Sequence, residues 1–277
     1  MKHIDGAFQG ANGIQLYYQC WQPDDQPIKA VLAIVHGIGE HSGRHINLVR
    51  HIVQQGYMVY GFDHRGHGQS PGQRGHINDW SEFRGDVRAF VHMVGDQQPD
   101  LPLFLLGHSM GGVIMLDYVR HHPDGLRAII ASSPALGDVG VPPILLFLGR
   151  IISRIWPSFS FSTGLDVSYV SRDPKEVQKY KDDPLNHGKG TARLSAEVEK
   201  TMAATQDNAV QYTLPMLVYH GSGDKITSAK ASRQFFDKVT SADKRYILYD
   251  GGYHELTNDL DRDKVFADVE SWLETHL

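Results

Sequence analysis

The feature that most constrains this chain is Gly107-His108-Ser109-Met110-Gly111-Gly112, which follows the apolar run 101–106 directly and leads into a helical pattern lasting to Tyr118. A buried strand that turns sharply into a helix at Gly-x-Ser-x-Gly lifts a serine hydroxyl above the sheet. The turn is strained and crowded, and glycines on either side of it remove the side chains that would collide there. The N–H groups that open the following helix are unpaired and favour negative charge building up beside the serine. This predicts Ser109 as a nucleophile. An ordinary strand-to-helix turn with a capping serine can be spelled the same way, so the rest of the chain has to decide.

Short apolar runs alternate with helical patterns along most of the sequence. Residues 30–35 and 57–62 are continuous apolar runs of the kind buried on both faces of a sheet. Residues 14–21 read as one strand of an N-terminal hairpin, and 126–132, 214–219 and 245–249 as further strands. Helical patterns occupy 44–55, closed by Gly56, then 81–94 and 265–273. The alternation predicts an α/β domain with a mostly parallel central sheet flanked by helices, which 277 residues can build. The rhythm breaks between 134 and 205. There an apolar run at 144–148 continues through Ile151, Ile152, Ile155 and Trp156, followed by turns and a polar helical stretch at 193–205. A structureless connection of that length is uncommon in a compact domain. The division predicted is a core of residues 1–133 and 206–277 with a helical cap inserted at 134–205.

A serine nucleophile on such a sheet calls for an acid and then a histidine later in the chain, at the carboxyl ends of strands that share one edge. Asp224, in Gly221-Ser222-Gly223-Asp224, follows the strand at 214–219, and His254 follows the strand at 245–249. In these roles His254 takes the proton from Ser109 and returns it to the leaving alcohol, while Asp224 fixes the imidazole tautomer. Asp224 alone would pass as a turn residue, and Asp250, nearer to His254 in sequence, is the alternative acid. The segment His36-Gly37-Ile38-Gly39-Glu40 follows an early buried strand, where one of two oxyanion-hole donors is due. The donors assigned are the N–H groups of Ile38 and Met110. The segment from Asp63 to Ser70 reads as a structural turn in which Asp63 or Arg65 pairs with neighbouring loops.

Taken together, the segments at 36–44, 63–70, 107–112, 221–224 and 252–254 resemble the monoacylglycerol lipase and lysophospholipase group of α/β-hydrolases. They stand in that group's order and span the chain from about residue 30 to its end. The resemblance implies an α/β-hydrolase fold and a cofactor-free serine esterase that releases one fatty acyl chain from glycerol through an acyl-enzyme on Ser109. It also implies a cap whose apolar surface meets lipid, and it assigns Glu40 and Arg44 to the alcohol end of the substrate. Some members carry a histidine three residues beyond the catalytic one. This chain has Thr257 there, which leaves open a lysophospholipid or a simpler short- or medium-chain ester as substrate. A prolyl aminopeptidase-like or lactone-cleaving hydrolase is the more distant alternative. The apolar residues of the cap either line an acyl tunnel, where each buried methylene is worth about 0.8 kcal/mol, or pack as core beneath it.

Other classes fit less well. A net charge of −5 argues against a nucleic-acid partner. Haloalkane dehalogenases and epoxide hydrolases of this fold have aspartate in place of the serine. Among 16 histidines, His41 with His45 could share a helical face and His64 lies close to His67, but neither pair has a clustered third ligand, so no metal is expected. A non-catalytic binding protein on this fold would typically lack a member of the triad. One cysteine, Cys20, permits no intrachain disulfide. The N-terminus shows no secretory signal, and the longest apolar stretch, 139–148, falls short of the roughly 20 residues that span a bilayer. The expectation is a cytoplasmic enzyme with no obligate protein partner, touching lipid transiently through its cap.

Overall fold

The computed structural model describes residues 1–137 and 143–277. Its strands are β1 (Lys2–Gln9), β2 (Gln15–Gln22), β3 (Ala30–Val35), β4 (Tyr57–Phe62), β5 (Leu103–His108), β6 (Ala128–Ser132), β7 (Ser160–Ser162), β8 (Lys189–Thr191), β9 (Met216–Gly221) and β10 (Lys244–Tyr249). The helices are α1 (Ile46–Gln54), α2 (Trp80–Gln97), α3 (Met110–His121), α4 (Pro143–Ile155), α5 (Pro174–Asp182), α6 (Ala192–Asp207), α7 (Ala229–Lys238) and α8 (Arg262–Thr275).

Eight strands form one sheet in the order β1-β2-β4-β3-β5-β6-β9-β10. The pairs β1–β2 and β2–β4 are antiparallel and all others are parallel. Parallel strands must be covered on both faces. Helices α1 and α8 bring Leu48, Ile52, Val265 and Trp272 against one face, onto Leu32, Phe104 and Leu217. Helices α2, α3 and α7 bring Phe83, Val113 and Phe235 against the other, onto Val31, Leu105 and Val218. Neighbouring residues of a strand thus serve opposite cores, as a period of two requires. All residues of β3 and β4 are buried, which explains why these strands coincide with the apolar runs at 30–35 and 57–62.

The sequence reading is imprecise where burial is incomplete. β1 buries only Phe8 and lies at the sheet's edge, so its pattern gave no strand signal of its own. The helix read over 44–55 starts as a short 3₁₀ turn, Ser42–His45, and becomes α-helical at Ile46.

Sheet order reverses about β3, which lies between β4 and β5. The loops after β3, β5, β6, β9 and β10 therefore emerge along one edge, the place where open α/β sheets bind ligands. Between β6 and β9 the chain leaves the sheet to form α4, the antiparallel pair β7–β8, α5 and α6. α6 packs against α4 and α3. Of the apolar stretch 139–148, residues 139–142 lie outside the described residues. No helix among the described residues is long and apolar enough to cross a membrane.

Candidate active site

Ser109 closes β5 and opens α3 with φ 55°, one of three non-glycine residues with positive φ among those described. Such a conformation costs roughly 1–3 kcal/mol and persists only where its surroundings over-determine it. The ends of β5 and β6 do so here. Ser109 N–H donates to the Ser132 carbonyl, and the Ser109 carbonyl accepts from Gly112 and Ala135, all at 3.0 Å. A Cβ on Gly107 would stand 2.5 Å from the Gly111 carbonyl oxygen, and one on Gly111 would stand 2.2 Å from that of Val35. Both glycines are steric requirements of bringing the first turn of α3 down onto β3 and β5.

Asp224 and His254 meet from the loops after β9 and β10. His254 Nδ1 lies 2.8 Å from Asp224 Oδ2. An ionised carboxylate only accepts, so Nδ1 carries the proton and Nε2 is left with a free lone pair. The rings of His108 and His254 are 4.8 Å apart, which sets the imidazole beside the serine turn. Ser133 Oγ donates to the His254 carbonyl at 2.9 Å, tying the histidine loop to the end of β6. Among the described residues Ser109 Oγ makes no hydrogen bond and faces a cavity. No hydrogen bond therefore joins Ser109 Oγ to the His254 imidazole, a leg that commonly tightens only in the reacting complex.

The surroundings of Asp224 hold it charged. Oδ1 accepts the N–H groups of Ile226 and Thr227 at 2.7 and 3.0 Å. Oδ2 accepts from His254, from Thr227 Oγ1 at 2.8 Å and from His220 Nε2 at 3.1 Å. Burial pushes the carboxyl's pKa up, but the imidazole of His254 and these donors outweigh it and hold it well below the usual carboxylate range. Burial likewise opposes the charged form of His254, yet the Asp224 charge and hydrogen bond leave it raised above an ordinary imidazole. Asp250, the alternative acid, is exposed and accepts from Ser222 Oγ at 3.1 Å, where it caps a turn. Thr227 escaped the sequence reading. Its only signal there is the Asp224-x-x-Thr227 spacing of a side chain that folds back on its own loop.

The N–H groups of Ile38 and Met110 donate no hydrogen bond among the described residues, and both residues line the cavity with Ser109. Gly37 stands above the serine, since a Cβ on it would come within 3.0 Å of Ser109 Cβ. Three ties fix this loop. Gly37 N–H donates to Glu40 Oε1 at 2.5 Å. His36 Nδ1–H donates to the Gly37 carbonyl at 2.7 Å. His36 Nε2 accepts from His64 N–H at 2.9 Å, while His64 Nε2–H donates back to the His36 carbonyl at 3.0 Å. Burial holds both rings well below the ordinary histidine range, so they act as neutral struts.

Glu40 and Arg44 lie away from the cavity over Ser109. The Glu40 carboxylate turns back to its own loop, with His45 Nε2 at 3.6 Å. Arg44 Nη2 donates to Glu255 Oε2 at 2.5 Å, its guanidinium lies 5.1 Å from the centre of the Tyr180 ring, and it borders a separate depression with Asn47 and Glu176. Thr257 is buried in the turn Leu256–Asn258. Asp63 accepts from Ser42 and Gln69, and Arg65 pairs with Asp86 and Glu82, so the 63–70 segment buttresses neighbouring loops. Among the described residues no group of three His, Cys, Asp or Glu is placed to hold a metal ion.

The cavity over Ser109 measures about 730 Å³. Its floor is Ser109, Ile38 and Met110, and its walls include Phe161, Leu165, Leu194, Val198 and Met202 from the β6–β9 excursion. A serine on a strained strand-to-helix turn, under an apolar cavity and beside a carboxylate–imidazole pair, defines a serine hydrolase of the α/β-hydrolase class.

Comparison with known proteins narrows the class. The family described as "Serine aminopeptidase, S33" matches residues 26–261. A monoacylglycerol lipase of Mycolicibacterium smegmatis is 37% identical over 98% of this chain and 97% of its own. The human monoglyceride lipase is 30% identical over 95% of this chain and 88% of its own. The crystal structure of the Paleococcus ferrophilus monoacylglycerol lipase superposes with a TM-score of 0.87 at 33% identity, covering 95% of this chain and 99% of that one. The chain belongs to this family, as a serine ester hydrolase of the monoacylglycerol lipase group of α/β-hydrolases.

Proposed function

We propose that the protein hydrolyses monoacylglycerol to fatty acid and glycerol, with Ser109, Asp224 and His254 as its catalytic triad. Ser109 Oγ attacks the ester carbonyl as His254 Nε2 takes its proton. The oxyanion sits against the N–H groups of Ile38 and Met110. Collapse of this intermediate breaks the bond to glycerol, which leaves with the proton from His254. Water, deprotonated by the same imidazole, then releases the acid from Ser109. The observation that carries this reading is the Asp224–His254 pair at 2.8 Å beside a serine whose cavity receives two undonated N–H groups.

The substrate's two ends fit two sides of the site. One acyl chain lies along the apolar wall, where each methylene removed from water contributes about 0.8 kcal/mol. Neither Glu40, which braces Gly37, nor Arg44, which pairs with Glu255, lines the cavity, so they act on the alcohol end through the loops they hold. Residues 134–205 serve as the cap. Ile155 and Trp156, 80% and 61% exposed, project with Ile151, Ile152 and Phe159 from its outer surface. An apolar patch of this kind suits contact with lipid, and in this reading the cap rests transiently on a lipid or membrane surface.

The test is a panel of mono-, di- and triacylglycerols and lysophospholipid with one common acyl chain. Monoacylglycerol should give the highest kcat/KM. Faster turnover of the triacylglycerol would overturn the proposal, and faster turnover of lysophospholipid would move the head-group assignment.

A further inference from the structure

We propose that His220 is a positioning residue for the reaction, a second imidazole that holds Asp224 Oδ2 in line with His254 and shares its negative charge. The inference rests on the triad reading above. His220 occupies a place in β9 where an apolar side chain is due. It follows Met216 and Val218 on the face that packs under α7, and it is fully buried. A buried imidazole with an unmade hydrogen bond is destabilising. Both of its nitrogens are engaged here. Nε2–H donates to Asp224 Oδ2 at 3.1 Å, and Nδ1 accepts from Ser232 Oγ on α7 at 2.9 Å.

The geometry gives the ring work that packing does not require. Asp224 lies in a loop, and a carboxylate on a loop turns unless both oxygens are held. Backbone N–H groups hold Oδ1, whereas Oδ2 receives His254 from one side and His220 from the other, with Thr227 Oγ1 3.2 Å from each ring. A turn that moved Oδ2 away from His254 would also break the bond to His220. The link runs on through Ser232 to α7, so a helix of the core steadies a catalytic loop. The second donor also weakens the pull of Asp224 on the His254 proton. The other titratable groups around His254 are Glu255, Glu40 and His108, and none of these hydrogen-bonds to Asp224.

The test compares His220→Leu with His220→Gln, whose amide nitrogen can still reach Asp224. For the leucine variant kcat should fall on the order of tenfold, as for loss of an outer partner that orients a catalytic group, with KM nearly unchanged. The acid limb of its kcat/KM–pH profile should move up by about half a unit, since Asp224 then holds the His254 proton more tightly. The glutamine variant should recover most of the activity and return the limb toward wild type. Wild-type kcat with an unmoved limb in a folded His220→Leu protein overturns the proposal. So does an equal loss in both variants with the limb in place, which is the signature of packing alone. If the leucine variant does not fold, Ser232→Ala frees only the outer nitrogen of His220. It should lower kcat several-fold and move the limb the same way, and an unchanged profile overturns the proposal. Asp224→Asn is measured alongside. If that variant stays active, the triad reading itself has failed, whereas its inactivity beside unaffected His220 variants sinks only the present inference.

Discussion

The sheet edge and the excursion above it close on the same cavity but are built in different ways. At the edge, the atoms proposed for chemistry sit on strand ends and are held by short bonds to backbone. Ser109 is fixed by three such bonds of 3.0 Å, and Asp224 accepts from two N–H groups of its own loop. The excursion presents apolar side chains to water and is tied to the core by bonds between loops rather than by strand ends. His187 N–H donates to the Gly39 carbonyl at 2.8 Å, His41 Nε2 lies 2.9 Å from Asp183, and Glu255 N–H donates to the Val170 carbonyl at 2.7 Å. Bond making needs atoms fixed to fractions of an ångström, while holding an alkyl chain needs only apolar area of the right extent. The two regions should therefore respond to substitution very differently.

The largest contrast is chemical. Ser109→Ala should lower kcat by at least about 10⁴-fold while leaving the unfolding midpoint near wild type. Activity above about one part in a thousand would mean that another residue carries the reaction.

The second contrast compares two glycines. Gly111→Ala puts a Cβ 2.2 Å from a backbone oxygen that cannot yield, whereas a Cβ on Gly149 in α4 meets no described atom within 4 Å. Urea unfolding should show a loss of more than about 3 kcal/mol for Gly111→Ala and a gain of up to about 1 kcal/mol for Gly149→Ala. Equal effects would erase the distinction between a sterically dictated edge and a permissive excursion.

Acid should weaken the fold through its buried rings, most of which lie along the edge. Burial pushes His108 down to about 3, and it holds His36, His64 and His67 well below an ordinary imidazole. Groups with a depressed folded-state pKa bind protons first in the unfolded chain, so their stability is complete above about 6.5 and is lost as pH falls from there. At pH 5 a ring such as His108, held far below that pH, costs about 2 kcal/mol. His254 is raised and acts in the opposite sense, its stabilisation fading as pH rises through its folded-state value. Four depressed rings outweigh one raised ring, and thermal unfolding should shift to lower temperature between pH 7 and pH 5. A flat profile would show that these rings are hydrated or charged in solution.

The smallest effect on stability belongs to the cap. Ile155→Ser with Trp156→Ser should change it by less than about 0.5 kcal/mol per site. Hydrolysis of a dissolved short-chain ester should be unaffected. Retention on lipid vesicles, measured by sedimentation, should fall several-fold, and undiminished retention would place the lipid contact elsewhere.

The strands buried on both faces could be read from the chain because nearly all their residues are apolar, and the reading of β3 and β4 matches to the residue. β1 and the short β7–β8 pair could not, since exposed edge residues carry no periodic signal. The amphipathic α7 and the polar α5 were passed over for a related reason, because their tertiary partners, rather than a run of hydrophobics, define them. The same divide runs through the site. Ser109, Asp224 and His254 are marked by glycines and by their places after strands. Glu40, His220 and Thr227 work by what they touch, and no spacing in the chain shows that one carboxylate braces Gly37 while another gathers two imidazoles.

The sequence by itself determined the order of the buried strands, the strained turn at Ser109 and the residue types at the later strand ends, because hydrophobic period and the steric freedom of glycine are local properties. Only the tertiary structure decided which side chains share an acceptor, which way the Glu40 and Arg44 side chains turn and what walls the cavity. Those are matters of distance between atoms far apart in the chain. For Asp224 and His254 that distance is 2.8 Å across 30 residues, and it exists only once the sheet has brought two loops to one edge.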